Sequence, residues 1–172
     1  KSHIKSGLKI GIACDCDMDG TASALIYYYS LNNIIDTEVV FCERKNGYGL
    51  QKQYYDKMKQ EGISLLITGD IGITAKDEVA YGNELGVQTI VTDHHSPQCD
   101  KIPDCLILNP KVNKDDDYWN NLCGGAVVYV LMKKLYKMLD LPFDEDGALL
   151  HFCTISLIGD MVPLIGTNRL LV

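Results

Sequence analysis

Residues 8–20 read LKIGIACDCDMDG. An apolar run, LKIGIAC, ends in three acids spaced two apart, and Gly20 then opens a helix-like stretch, GTASALIYYYSLNN, over 20–33. A run without regular polar alternation reads as a strand buried on both faces. The pattern recurs down the chain. TEVVFCE (37–43), ISLLITG (63–69), VQTIVT (87–92) and DCLILN (104–109) read as further strands. Between them lie helix-like segments at 51–60, stopped by Gly62, and at 74–86, with Thr74 as its N-cap and Gly86 as its stop. Two more helical stretches follow near 123–139 and 146–158. Alternation of this kind predicts an α/β fold with a parallel sheet of about five strands, flanked by helices on both faces.

Three of the apolar runs finish in an acid. The first leads into Asp15, Asp17 and Asp19, LLITG leads into Asp70, and TIVT leads into Asp93, His94 and His95. A fourth run, ISLIG, leads into Asp160 at what reads as a helix end. The C-terminal ends of parallel strands lie along one edge, where ligands bind, so these acids are expected to converge. Converging carboxylates must be neutralised or take up protons. Divalent cations neutralise them: hard oxygen donors suit Mg²⁺ or Mn²⁺, and added imidazole tilts the choice toward Mn²⁺ or a similar transition metal.

Two other patterns share part of the string. Asp15 to Gly20 begins like an EF-hand loop, but the twelfth position is Ile26 where that loop needs Glu. Asp17-Met18-Asp19-Gly20-Thr21 also fits the haloacid-dehalogenase phosphatase signature, with Thr68 as its second motif. That reading lacks a downstream acidic pair and leaves His94 and His95 unexplained.

Composition sets the bounds. The 172 residues are 47% hydrophobic and 23% charged, which excludes wholesale disorder. No apolar run reaches the roughly 18 residues of a membrane span, and no secretory leader is recognisable. The net charge of −7 counts against a pure DNA-binding module, but less against an enzyme whose centre itself requires carboxylates. Seven cysteines, an odd number with no C-x-x-C pair, argue against disulfide or zinc frameworks. They read as buried thiols in a reducing cytoplasm. The acidic stretch at 114–117, KDDD, reads as a solvated loop.

Together, the stretches DCDMDG (15–20), DIG (70–72), DHH (93–95) and GDMVPLIGTNR (159–169) resemble the four motifs of the DHH phosphoesterase superfamily. Within it they are most similar to the RecJ-type exonucleases, as are the GYGL turn at 47–50 and LCGG at 122–125. The resemblance implies a two-metal phosphodiesterase that hydrolyses single-stranded DNA 5′→3′ with an activated water. Mn²⁺ is the preferred ion and Mg²⁺ the second choice. It implies metal ligands Asp17, Asp19, Asp70, His94 and Asp160, with Asp70 bridging. His95 would face the scissile phosphate, Asp93 would orient a neighbouring histidine, and Asp15 would support the ligands from behind. Arg44, Lys45, Tyr48 and Arg169 are candidate substrate contacts. Where many members of the superfamily carry a histidine four residues before the first ligand, this chain has Ala13.

The resemblance further implies that residues 1–172 form the catalytic domain of a longer protein, with a smaller C-terminal domain following. The setting would be cytoplasmic DNA repair and recombination, with other repair or replication proteins as partners and no membrane. The alternatives are a DHH phosphodiesterase acting on short oligonucleotides or cyclic dinucleotides, and an inactive RecJ-like scaffold.

Overall fold

The computed structural model describes residues 2–43, 45, 47–112, 119 and 121–172. Arg44 and the acidic stretch 114–117 lie outside the described residues. The chain begins with helix α1 (Ser2–Ser6) and strand β1 (Ile10–Asp15), followed by α2 (Met18–Leu31) and β2 (Thr37–Cys42). Next come α3 (Lys52–Gln60), β3 (Leu65–Gly69), α4 (Lys76–Glu84), β4 (Gln88–Thr92) and β5 (Leu106–Leu108). Helices α5 (Gly124–Leu139), α6 (Ala148–Gly159) and α7 (Thr167–Leu170) complete the fold.

All five strands are parallel, in the order β2-β1-β3-β4-β5. The predicted parallel α/β sheet is therefore observed. Register places Val39, Ile12, Ile67, Ile90 and Leu106 in one row across the sheet. Ile12 and Ile67 belong to a core shared with α2, α5 and α6. The opposite face, carrying Ala13, Val40 and Leu66, packs on Tyr54, Tyr55 and Met58 of α3 and Val79 of α4. Central strands β1 and β3 are buried at every position, as the unalternating runs require. After β2 the chain crosses to the other side of β1, which puts a topological switch point between β1 and β3. In open α/β sheets the crevice at that point is where ligands sit.

Local differences from expectation have local causes. Helix α2 starts at Met18, two residues earlier than Gly20, because Asp17 caps it by accepting the Gly20 N–H at 2.9 Å. Helix α4 is capped by Ala75, not Thr74, and no side chain serves the cap. The Ala75 N–H turns back to the Gly72 carbonyl at 3.0 Å, which draws Thr74 into the preceding turn. The short helices α1 and α7 have no counterpart in the sequence pattern. Cys14, Cys42, Cys123 and Cys153 are buried, but Cys16 and Cys99 are exposed, contrary to a uniformly buried set. Among the described residues no helix is long and apolar enough to cross a membrane.

Candidate metal centre

Every acid of the strand-end pattern arrives at the switch point, each on a different support. Asp15 is the last residue of β1 and is buried. Its Oδ1 accepts the Cys16 N–H at 2.6 Å, while Oδ2 is buried without a partner. Asp17 is exposed at the α2 N-terminus, and Asp19 is buried in the first turn. A helix N-terminus favours negative charge, so this placement is locally stable. Gly20 permits the tight strand-to-helix turn: a Cβ there would lie 2.3 Å from the Asp15 carbonyl oxygen.

Asp70 follows β3 with φ 65°, a left-handed conformation that Asp tolerates better than most residues. Its N–H extends the ladder to the Thr92 carbonyl at 3.1 Å. Its Oδ1 is buried and unpaired by hydrogen bonding, although His94 Nε2 lies 3.2 Å away. That nitrogen also stands 3.5 Å from Asp19 Oδ2 and 3.7 Å from Asp160 Oδ2. Asp160 is the C-cap of α6.

Asp93 is fully engaged by its neighbours. Oδ1 accepts the backbone N–H groups of His94 (2.7 Å) and His95 (3.0 Å), and Oδ2 accepts that of Ile73 (2.9 Å). His95 Nδ1 lies 2.8 Å from the same Oδ1. The other ring nitrogen, Nε2, faces Tyr48 Oη at a long 3.4 Å.

Electrostatics divides the two adjacent histidines. Burial holds the His94 pKa below its ordinary value, even though Asp19, Asp160 and Asp93 pull the other way. The hydrogen bond to Asp93 holds His95 above its ordinary value, against the effect of burial. Burial alone would raise Asp93, but the His95 ring and the backbone donors outweigh it and leave it lowered. Burial, followed by the charges of Asp19, Asp17, Asp93 and Asp15, pushes Asp70 up to about 11. Burial also raises Asp160.

Among the described residues, three groups of donors have ligand atoms within 4.8 Å of one another: Asp15–Asp17–Asp70, Asp19–His94–Asp160 and Asp70–His94–His95. Asp70 and His94 each join two groups. An orphaned buried oxygen, a carboxylate whose pKa burial pushes up and an imidazole nitrogen facing three carboxylates are the local costs of a cation-shaped arrangement. Hard oxygen donors with one or two imidazoles fit Mn²⁺ or Mg²⁺.

The structure thus brings together Asp15, Asp17, Asp19, Asp70, Asp93, His94, His95 and Asp160. An Asp15 oxygen lies within 4.8 Å of ligand atoms of Asp17 and Asp70. Tyr48 stands over His95, with ring centroids 6.5 Å apart. A cavity of about 450 Å³ opens beside it, lined in part by Leu50, Thr74, Glu78 and Gln98. Lys45 is paired with Glu43 at 2.8 Å. Arg169 is exposed on α7 and pairs with no described acid. Thr68 is spent inside the fold, its Oγ1 donating to the Ile71 carbonyl at 2.7 Å, so it is no phosphatase motif.

Three contributors escaped the sequence reading. Gly124 N–H and Gly125 N–H, at the start of α5, donate to Asp19 Oδ2 and Oδ1, each at 2.7 Å. Ser156 Oγ also donates to Oδ1. The paired glycines of LCGG were a visible signal without an assigned role; Ser156 in an apolar helix gave none.

The model of the DHH family, N-terminal domain, matches residues 9–155. The chain belongs to the DHH family. This DHH domain is 36% identical over 174 residues to the single-stranded-DNA-specific exonuclease RecJ of Bacillus subtilis, covering 99% of this chain and 21% of that protein. It is 30% identical to the protein of the same name from Salmonella typhimurium, covering 97% of this chain and 31% of the relative. The chain thus spans a fifth to a third of the length of these relatives. Its fold matches a crystal structure of exonuclease RecJ bound to manganese, with TM-score 0.87 and 28% identity, over 99% of this chain and 44% of that one. It also matches RecJ from Thermus thermophilus in complex with Mn²⁺, with TM-score 0.84 and 27% identity, over 99% of this chain and 24% of that one. CDC45 from Entamoeba histolytica, at TM-score 0.62 and 12% identity, shares the fold.

Proposed function

We propose that this DHH domain is the catalytic part of a two-metal phosphodiesterase that removes nucleotides from the 5′ end of single-stranded DNA. Asp15, Asp17 and Asp70 would hold one cation. Asp19, His94 and Asp160 would hold the other, with Asp70 shared between them. The bound ions, Mn²⁺ before Mg²⁺, would lower the pKa of an attacking water and offset charge on the phosphoryl group.

The chain's own residues then have defined tasks. Asp93 keeps a proton on His95 Nδ1 and sustains its positive charge. His95 faces the scissile group and stabilises negative charge on the phosphoryl oxygens. The cavity beside His95 receives the terminal nucleotide, and Tyr48 offers a face for base stacking, which is tolerant of sequence. Two divalent cations would also cancel more than half of the net charge of −7, easing the approach of a polyanion.

Asp70 is the observation that carries this reading. Its Oδ1 is buried and unpaired, and the residue offers an oxygen to two donor groups, an arrangement that makes sense for a shared ligand and costs stability otherwise. The relatives named RecJ support the substrate class, and a cytoplasmic setting in DNA repair and recombination follows from the same reading. The test is hydrolysis of 5′-labelled single-stranded DNA with Mn²⁺, run beside Asp70→Asn and in excess EDTA. Mononucleotide release that both controls abolish supports the proposal. Cleavage that persists in EDTA overturns the mechanism, and cleavage confined to cyclic dinucleotides or very short oligonucleotides overturns the substrate.

A further inference from the structure

Asp93 apart, Asp19 is held more completely than any other acid of the cluster, and by groups 105 to 137 positions away in the chain. A carboxylate only accepts, so Ser156 must donate its proton to Oδ1. Ser156 Oγ also lies 2.8 Å from Cys123 Sγ. Because the serine proton is already committed, the Cys123 thiol is the donor in that contact. The three groups form a one-way chain from thiol to hydroxyl to carboxylate, all of it buried.

Lone pairs decide what Asp19 has left. Oδ1 accepts from Gly125 N–H and from Ser156, which fills both of its acceptor positions. Oδ2 accepts from Gly124 N–H alone and keeps one position, on the oxygen that lies 3.5 Å from His94 Nε2. The packing allows no slack. A Cβ on Gly125 would meet Ser156 Oγ at 2.3 Å, and one on Gly124 would meet Asp70 Cβ at 2.5 Å.

We infer that Ser156, backed by Cys123, is a positioning residue that makes Asp19 a one-oxygen ligand and so tunes which cation the centre accepts. Mg²⁺ and Mn²⁺ favour six-coordinate shells of single oxygen or nitrogen donors, whereas Ca²⁺ readily takes both oxygens of a carboxylate. Occupying Oδ1 withholds the second oxygen. The inference rests on reading the cluster as a metal centre.

The test is a titration of the whole chain with Mn²⁺, followed by the paramagnetic resonance of the free ion, with Ca²⁺ as competitor. Ser156→Ala, Cys123→Ala and Cys123→Ser are measured beside the parent, and metal-free melting curves are recorded for each. Two bound Mn²⁺ are expected for the parent. Ser156→Ala is expected to weaken one of them by about 10–100-fold, the usual effect of removing a group that orients a ligand. It should also narrow the preference for Mn²⁺ over Ca²⁺. Cys123→Ala should give a smaller loss in the same direction, and Cys123→Ser, which keeps a donor, should restore the parent's behaviour. These two variants carry the test if Ser156→Ala does not fold.

Unchanged affinity and unchanged ion preference in Ser156→Ala would overturn the inference. Equal weakening of both ions together with a lowered metal-free melting temperature would also overturn it, since that is general loosening. A parent chain that binds no Mn²⁺ would instead remove the metal-centre reading, and this inference with it.

Discussion

The two halves of the acid cluster are held in opposite ways. On the α5 side, Asp19 is buried and clamped by two backbone amides and a serine hydroxyl from distant parts of the chain. On the β1 side, Asp17 is exposed and its side chain is held by one hydrogen bond, to the Gly20 N–H, while one oxygen of Asp15 has no partner. The first half is preorganised by tertiary structure and the second by a single short loop. Preorganised ligands bind with less loss of freedom, so the α5 half is expected to retain its cation more tightly.

Asp70 belongs to both sides, and its replacement should have the largest effect. Asp70→Asn keeps a residue that tolerates the left-handed backbone, so the substitution removes charge without forcing the loop. Activity on single-stranded DNA is expected to fall by at least ~10³-fold, about 4 kcal/mol of barrier. The same variant should melt higher than the parent when metal is absent. Because burial and the neighbouring carboxylates push Asp70 up to about 11, the metal-free parent loses stability as pH rises above the ordinary carboxylate range. The gain should therefore be larger at pH 8 than at pH 5, on the order of 5 °C. A lower melting temperature at pH 8 would contradict the buried-charge account.

Asp19→Asn against Asp17→Asn sharpens the comparison next. An Asn side chain at 19 must turn its NH₂ toward one of the donors that now serve the carboxylate. A buried mismatch of this kind costs about 1–3 kcal/mol. Asn at 17 caps α2 as well as Asp does, so stability should stay within about 0.5 kcal/mol. Both variants should lose activity, but thermal melting without metal should separate them. Equal melting temperatures would mean that the two halves are held alike.

The histidine pair yields a smaller effect with a defined pH dependence. His95 is raised and Asp93 lowered by their contact. The raised histidine contributes stability that is full below its ordinary value and lost as pH rises through its folded value. The lowered acid contributes stability above the ordinary carboxylate range and loses it as pH falls through its folded value. Asp93→Asn should therefore destabilise the chain most between about pH 4 and 6.5 and less at pH 9, as followed by denaturant unfolding. A pH-independent loss would assign Asp93 to loop structure alone, through Ile73. Tyr48→Phe should change kcat least, by ~3-fold or less, because the hydroxyl contact to His95 is long and exposed.

What was legible in the sequence was local. An apolar run followed at once by an acid needs no tertiary information, and it located Asp15, Asp70 and Asp93 and the sheet that carries them. Asp17 and Asp19 followed from the same run, as the acids at alternate positions after Asp15. The clamp on Asp19 was not legible, because Ser156 is one hydroxyl in HFCTISL and its partner lies on another helix. Thr74 was misplaced as a cap for the converse reason: its propensity is right, but a turn closed from Gly72 to Ala75 shifts the helix start by one residue.

The reach of α5 back to Asp19 also sets an order of events. During synthesis the β1–α2 loop and its acids emerge early, but the amides and hydroxyl that clamp Asp19 come more than a hundred residues later. Closing so long a loop is slow relative to forming the neighbouring strand–helix units. The centre is therefore assembled late, and a nascent chain carries its acids as a loose, solvated set until the last third of the domain docks.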